Sequence, residues 1–143
     1  MLLVKNAEIY APEYLGKKDL LICGGKIECI QDSIRELPVE CEVLDAEGKI
    51  LTPGFLDQHV HITGGGGEGS FHTRTPELQM SELVENGITT VVGLLGTDGI
   101  TRSVDNLYAK TRVLCEEGVS AYMLTGAYGY PSPTITAVSY THL

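Results

Sequence analysis

The sequence predicts an α/β protein in which parallel β/α units follow a β-rich N-terminal segment. Short apolar runs joined by glycine turns fill the first fifty residues, a pattern typical of short β-strands. After Pro53-Gly54 the order becomes strand, helix, strand, helix, strand. Strands that alternate with helices form a parallel sheet through right-handed crossovers. This order fits either a small open sheet or the first part of a barrel.

We expect the N-terminal segment to be a small meander or half of a β-sandwich. The stretch "DLLICGGKIECIQ" predicts strands over 19–23 and 26–31, joined by the two-residue turn Gly24-Gly25. The stretch "CEVLDAEGKILTPG" repeats this hairpin plan, because apolar pairs lie on both sides of a turn at Glu47-Gly48.

The segment that follows is expected to hold three strands and two helices. The strands are the apolar runs "GFLDQHVHI", "ITTVVGLL" and "SAYMLTG". In the first helix, Thr75 is the expected N-cap, Pro76 the first helical residue and Gly87 the position just past the end. Its predicted buried face comprises Met80, Leu83 and Val84. The second helix is expected to bury Val104, Leu107, Tyr108, Thr111, Leu114 and Cys115 before Gly118.

Composition and charge exclude several classes of protein. The 143 residues suffice for one ordinary domain with a core. The 19 acidic and 10 basic residues give a net charge of −9, whereas a nucleic-acid-binding protein needs a basic face. Because there is neither a secretory signal nor a run of about 20 apolar residues, we expect a cytoplasmic protein that does not bind membranes. The four cysteines lack C-x-x-C spacing and are expected to be buried thiols.

The stretch "HVHITGGGGEG" at residues 59–69 carries the strongest chemical signal. His59 and His61 lie two residues apart, so in a strand their side chains project from the same face. The carboxyl ends of parallel strands are where active sites assemble in β/α barrels, and two neutral imidazoles can chelate zinc. The alternative is that either histidine is a packed core residue; the pairing favours metal.

The four glycines at 64–67 suit a loop whose backbone adopts positive φ or approaches a ligand closely. A phosphate loop would continue with lysine and then serine or threonine. Glu68 stands in the place of that lysine and would repel phosphate. The loop therefore suits a ligand with a cationic group.

The stretch "LTPGFLDQHVH" resembles the first-strand signature of the amidohydrolase superfamily, in which a small β-sandwich precedes a TIM barrel. The glycine loop, "VVGLLGTDGITR" and "MLTGAYGYPSPTIT" resemble, more narrowly, the isoaspartyl dipeptidases. The resemblance implies part of a β-sandwich domain at residues 1–50 and the first three strands of a TIM (β/α)8 barrel at 51–136. The tail at 137–143, "AVSYTHL", departs from the family pattern, so His142 is not taken as a ligand.

The resemblance implies a zinc enzyme with two ions per full-length subunit that hydrolyses dipeptides linked through the aspartate side chain. In that family His59 and His61 would bind one metal, and Glu68 would contact the free α-ammonium of the substrate. A metal-bridging hydroxide would attack the side-chain amide carbonyl.

The resemblance also assigns roles to the neighbouring loops. Loop backbone near Gly66, together with Thr97, would hold the α-carboxylate end of the substrate, and Tyr128 would polarise the scissile carbonyl as a catalytic residue. The alternatives are that Thr97 and Asp98 form a turn before a helix and that Tyr128 is a packed aromatic. Asp57 is expected to orient its neighbours without binding metal.

The remaining site residues of that family lie on later strands: a carboxylated lysine, two histidines and a catalytic aspartate. We therefore expect this chain alone to be inactive. For the full-length protein we also expect a homo-oligomer. Two other functions stay open. One is an amidohydrolase that acts on cyclic amides such as hydantoins or dihydroorotate, which carry no free ammonium for Glu68. The other is a non-catalytic ligand-binding module.

Overall fold

The structure is a computed structural model that describes residues 1–35 and 37–135. The chain divides into two compact units, Met1–Pro53 and a second that begins at Gly54. The strands are β1 (Leu2–Tyr10), β2 (Tyr14–Cys23), β3 (Lys26–Gln31), β4 (Glu42–Asp45), β5 (Ile50–Leu51), β6 (Phe55–Val60), β7 (Ile88–Gly93) and β8 (Ser120–Met123). The helices are α1 (Met80–Glu85) and α2 (Val104–Glu116), with a 3-10 turn at Phe71–Thr73. The predicted tail at 137–143 lies outside the described residues.

The first unit is a five-stranded sheet in the order β3-β2-β1-β4, with β5 also paired to β1. β2 and β3 form the predicted antiparallel hairpin, and Gly24 and Gly25 adopt positive φ at its turn. This prediction is confirmed, although β2 begins earlier than expected, at Tyr14.

The second predicted hairpin is wrong. β4 and β5 do not pair with each other; both lie parallel to β1, one after the other along the same edge. Asn6, at φ 59°, interrupts β1 between the two pairings, and its side-chain amide donates to both carboxylate oxygens of Asp45 at 2.9 and 3.0 Å. The Gly48 N–H donates to the Asn6 carbonyl at 2.9 Å, which keeps the turn against β1.

The core of the first unit is small, and its main cluster of buried residues is Val4, Ala7, Ile9 and Leu20. Beside them the buried Asp19 carboxylate accepts the backbone N–H groups of Asn6 and Ile34, each at 2.9 Å. A buried carboxylate thus satisfies backbone donors that the sheet leaves unpaired. The expectation of buried thiols is wrong: Cys23 is exposed, and Cys29, Cys41 and Cys115 are only partly buried.

The second unit contains the predicted parallel sheet, in the order β6-β7-β8. Its core comprises Ile62, Leu83, Val91, Leu95, Val104, Leu107, Leu114 and Val119. Of the stripe predicted for α2, Val104, Leu107, Thr111 and Leu114 are buried. Tyr108 is half exposed instead, and Cys115 is only partly buried.

The predicted start of α1 is wrong. The helix begins at Met80 behind the N-cap Gln79, which forms a capping box with Glu82. Thr75 does not cap a helix, because its hydroxyl accepts the Gly65 N–H at 2.7 Å and so belongs to the glycine loop. Leu83 is buried as expected, whereas Val84 is exposed.

Neither helix of the described chain combines the length and the apolar character that crossing a bilayer demands.

Candidate functional site

The structure brings the two histidine rings together. β6 ends at Val60, so His59 lies inside the strand and His61 directly after it. The ring centroids are 5.6 Å apart, and the ring planes are inclined by 28°. Asp57 accepts the backbone N–H of His59 at 3.0 Å, so its carboxylate fixes the chain at the end of the strand. The pair projects to one side, as the two-residue spacing predicts.

Two glycines let the backbone approach the His61 ring. A Cβ atom at Gly96, which follows β7, would lie 2.6 Å from Cε1 and 2.7 Å from Nδ1 of the imidazole. A Cβ atom at Gly65 would lie 3.0 Å from the same Nδ1. The contacts at Gly96 are closer than a Cβ atom tolerates, and the contact at Gly65 would require the ring to shift slightly. The His61 ring therefore lies between two backbone segments that both favour glycine.

The glycine loop folds on itself. Gly64, Gly66 and Gly67 have φ values of 88°, 73° and 106°, in the region that favours glycine. Cβ atoms at Gly64 and Gly66 would collide with the carbonyl oxygens of Thr75 and Thr73. The close approach anticipated for a ligand is therefore made, at these two positions, by the protein's own backbone.

Two threonines close the loop with hydrogen bonds. The Gly65 N–H donates to the Thr75 hydroxyl at 2.7 Å, and the Thr75 N–H donates to the Gly65 carbonyl at 2.9 Å. The Gly67 N–H donates to the Thr73 hydroxyl at 3.2 Å. These bonds tie the loop that follows β6 to the segment that precedes α1.

Glu68 and Thr97 meet at the open side of this loop. Both residues are exposed. Hydrogen bonding by the Thr97 side chain is the largest cause that lowers the pKa of the Glu68 carboxyl group; the backbone N–H of Glu68 and the electrostatic effect of His61 also lower it. The loops after β6 and β7 thus place an ionised carboxylate, a hydroxyl and an imidazole in one area.

Tyr128 lies in the segment after β8 and is 83% exposed. It is therefore not the packed aromatic of the alternative interpretation. Within residues 37–135, no hydrogen bond or ring contact joins Tyr128 to the histidine pair or to Glu68. Tyr128 follows the carboxyl end of β8, as His61 follows that of β6 and Thr97 that of β7, but within the same residues it forms no hydrogen bond with either of them.

Sequence reasoning missed an ionic cluster behind the glycine loop, formed by the buried side chains of Asp98 and Arg102 and the more exposed Arg74. The Asp98 carboxylate lies 3.1 Å from Arg74 Nε and 3.5 Å from Arg102 Nη1. A hydrogen bond from the Thr101 side chain is the largest cause that lowers the pKa of Asp98 to about 2, aided by the Thr101 and Ile100 N–H groups and by Arg74. The four-residue spacing of Asp98 and Arg102 was the available signal.

The donor set at the strand end fits part of a metal site. Two adjacent imidazoles are suitable ligands for zinc, but they fill half of a tetrahedral shell. Across residues 1–35 and 37–135 no group of three or more histidine, cysteine, aspartate or glutamate side chains is arranged to hold an ion. His59 and His61 could therefore hold a metal only with ligands from outside this part of the chain.

The chain is similar to solved and curated proteins along most of its length. A beta-aspartyl dipeptidase from Fervidobacterium islandicum AW-1 is 50% identical, with a TM-score of 0.90 over 96% of this chain and 38% of that one. The same enzyme in complex with beta-Asp-Leu dipeptide gives a TM-score of 0.86 over 95% of this chain and 36% of that one.

Less similar relatives carry the names of enzymes with other substrates. A dihydroorotase from Listeria monocytogenes is 35% identical over 126 residues, which are 85% of this chain and 28% of that protein. A D-hydantoinase from a Thermus species is 26% identical with a TM-score of 0.57, over 90% of this chain and 26% of that one. No protein-family model matches. The chain thus spans between a quarter and two fifths of the length of these relatives.

Proposed function

Because this chain belongs to the amidohydrolase superfamily, we propose that the full-length protein is a zinc-dependent dipeptidase that hydrolyses the isopeptide bond of β-aspartyl dipeptides. The observation that carries the proposal is that the loops that hold Glu68 and Thr97 lie against each other beside His61: a Cβ at Gly67 would lie 3.3 Å from the Asp98 Cβ, and Gly96 lies against the His61 ring. The 50% identity to a dipeptidase solved with beta-Asp-Leu supports the same substrate class.

The aspartyl end of the substrate is chemically complementary to Glu68 and Thr97. A β-aspartyl dipeptide carries an ammonium and a carboxylate on the same carbon, because its peptide bond uses the side-chain carboxyl. The Glu68 carboxylate would pair with that ammonium, while the Thr97 hydroxyl and the backbone near Gly66 would donate to the carboxylate. Binding would thus give the Glu68 carboxylate and the Thr97 hydroxyl each a charge-assisted bond to the substrate.

The reacting end would lie toward the histidine pair. His59 and His61 would hold one of two zinc ions, with the remaining ligands supplied by the rest of the protein. Bound zinc supplies a nucleophile at neutral pH and polarises the scissile carbonyl. The Tyr128 hydroxyl, which its exposure leaves accessible, would donate to the carbonyl oxygen as negative charge develops there.

Hydrolysis of a cyclic amide is the second candidate, because one dihydroorotase relative is 39% identical to this chain over 99 residues. Dihydroorotate and hydantoins carry no free ammonium. The Glu68 carboxylate would then face a neutral ring or a like charge, which costs binding energy. The dipeptide is therefore the better match to the loop.

A substitution of Glu68 tests the proposal in the full-length protein. We expect Glu68→Gln to lower kcat/KM for β-Asp-Leu roughly 10- to 100-fold, because a hydrogen bond to a charged group is lost. N-acetyl-β-Asp-Leu lacks the ammonium, so the variant and the parent should turn it over at similar rates. Glu85→Gln, an exposed position in α1, is the matched control.

Steady-state kinetics with β-Asp-Leu, dihydroorotate and hydantoin separate the candidates. Turnover of the ring substrates with none of the dipeptide would contradict the proposal and favour the second candidate. Absence of both zinc and hydrolysis would instead favour a non-catalytic module, and metal analysis gives that answer independently.

A further inference from the structure

We propose that Asp98 and Arg102 are positioning residues that hold the glycine loop so that Glu68 and Thr97 meet the two charges of the substrate. The inference rests on the proposed function for the substrate it names. It goes further because neither residue belongs to the cluster that would touch the dipeptide. Their role is to fix the backbone on which that cluster is built.

Arg102 joins segments that are distant in sequence. Its Nε donates to the Thr63 carbonyl at 2.9 Å, and its Nη2 donates to the Thr75 carbonyl at 2.9 Å. Thr63 directly precedes the glycine loop, and Thr75 lies just before α1. The side chain is only 3% exposed, so both bonds are shielded from water. A planar guanidinium provides these divergent donors, whereas an ammonium does not reproduce the geometry.

Asp98 anchors the arginine and its own loop. Its carboxylate, 5% exposed, faces Arg102 and Arg74 and accepts hydrogen bonds from the Thr101 hydroxyl and backbone N–H. Asp98 directly follows Thr97. The group that fixes the loop after β7 is therefore one residue away from the hydroxyl that contacts Glu68.

The contacts continue from this ionic pair to the proposed site. Arg102 holds the Thr75 carbonyl, the Thr75 hydroxyl accepts the Gly65 N–H, and Gly65 lies against the His61 ring. On the other side, a Cβ at Gly67 would lie 3.3 Å from the Asp98 Cβ, so the loop rests directly on the aspartate. A loosened pair would therefore displace both ends of the glycine loop.

Two conservative variants of the full-length protein test this role. Arg102→Lys keeps the charge but not the fork of donors, and Asp98→Asn keeps the shape but not the charge. We expect each to raise KM for β-Asp-Leu by about 10- to 100-fold while kcat changes less, because the binding loop is misplaced. KM for N-acetyl-β-Asp-Leu, which lacks the ammonium but keeps the α-carboxylate that Thr97 would hold, should rise by a smaller factor. Arg112→Lys and Asp105→Asn, both exposed in α2, are the matched controls.

A double-mutant cycle separates positioning from a general loss of stability. If the pair acts through Glu68, adding Glu68→Gln to Arg102→Lys should cost far less than the product of the single effects. Multiplicative effects would overturn the proposal. If Arg102→Lys fails to fold, the cycle is carried out with the nearly isosteric Asp98→Asn.

Hydrogen exchange provides a readout that needs no substrate. The Gly65 and Gly67 amides, which bond to Thr75 and Thr73, should exchange about tenfold faster or more in both variants than in the controls. Unchanged exchange would overturn the proposal. If the parent protein hydrolyses no β-aspartyl dipeptide, the proposed function is wrong, and the exchange result alone decides whether the pair holds the loop.

Discussion

Among single residues, Gly96 is important because it packs against the ring of His61. Gly96 has no strained φ value, so its importance comes from the His61 imidazole next to it. Gly99, three residues later, has open space in front of it, with nothing within 4 Å of an added Cβ. These two glycines provide a matched pair with opposite expectations.

We predict that Gly96→Ala displaces the His61 ring and costs about 1–3 kcal/mol of stability, the range for overpacking a filled site. Gly99→Ala should leave both the ring and the stability unchanged. Urea unfolding measures the stability, and zinc content of the full-length protein reports on the ring. Equal behaviour of the two variants would show that His61 is not confined as the structure places it.

Asp98 gives a prediction for acid stability. Because its folded-state pKa is lowered to about 2, its contribution to stability is fully present above the ordinary aspartate pKa of about 3.9 and is lost as the pH falls toward 2. Unfolding midpoints should therefore drop over this window. In Asp98→Asn, that part of the pH dependence should disappear, and an identical slope in variant and parent would contradict the assignment.

The sequence indicated the candidate site residues that have characteristic neighbours. His59 and His61 stand out by their spacing, and Glu68 by the glycines before it. Arg102 was not, because an arginine in a polar loop is usually solvated. Its burial depends on carbonyl groups of Thr63 and Thr75, and no local pattern indicates that these turn toward it.

At the scale of secondary structure, α2 is the element that best matches its sequence pattern. Its N-cap is Ser103, whose hydroxyl accepts the Asn106 N–H at 3.2 Å. Leu107 and Leu114 are fully buried against the parallel sheet's core, while Val113 on the same helix is 43% exposed. The helix is therefore held mainly by one apolar face.

We predict that Leu107→Ala destabilises the protein by about 2–5 kcal/mol, because it removes buried methyl groups and leaves a cavity. Val113→Ala, in the same helix, should change stability by no more than about 0.5 kcal/mol. Equilibrium unfolding in urea measures both. A small effect at Leu107 would mean that the neighbouring side chains collapse into the space.

The two hairpins predicted for the first unit show that turn residues alone do not determine which strands pair. Gly24-Gly25 connects strands that pair with each other, whereas Glu47-Gly48 connects strands that both pair with β1. The turn residues are similar in the two places. The difference lies in Asn6, which is distant in sequence, has a left-handed backbone and donates hydrogen bonds to Asp45. Tertiary contacts therefore determine which strand β4 and β5 pair with.

At the scale of the whole molecule, the parallel sheet leaves large apolar side chains exposed. Phe55 and Leu56 on β6, and Tyr122 on β8, are each at least 60% exposed. Strands of a parallel sheet are normally covered on both faces. The dipeptidase chains that match this one are more than twice as long, which agrees with the first three strands of a larger TIM barrel.

We predict that residues 1–143 alone do not hydrolyse β-Asp-Leu, because two histidines supply half of one zinc shell. The full-length protein should hydrolyse it and contain close to two zinc ions per subunit. Metal analysis and kinetics on both preparations check this. Hydrolysis by the short chain at the full-length rate would show that the later strands are dispensable.

The whole architecture was only partly predictable from spacing and periodicity. Three parallel strands with two helices fit an open sheet as well as a barrel, because closure depends on later strands. The "LTPGFLDQHVH" signature favoured the barrel, and the structural similarity to the dipeptidase confirms that fold.

The confinement of His61 between Gly65 and Gly96 also affects the thermodynamics of ligand capture. A side chain that rotates freely loses rotamer entropy when it binds a ligand. Here that loss occurs during folding, so any partner of the imidazole meets a ring that is already oriented. Its association should therefore carry a smaller entropic penalty than association with a mobile surface histidine.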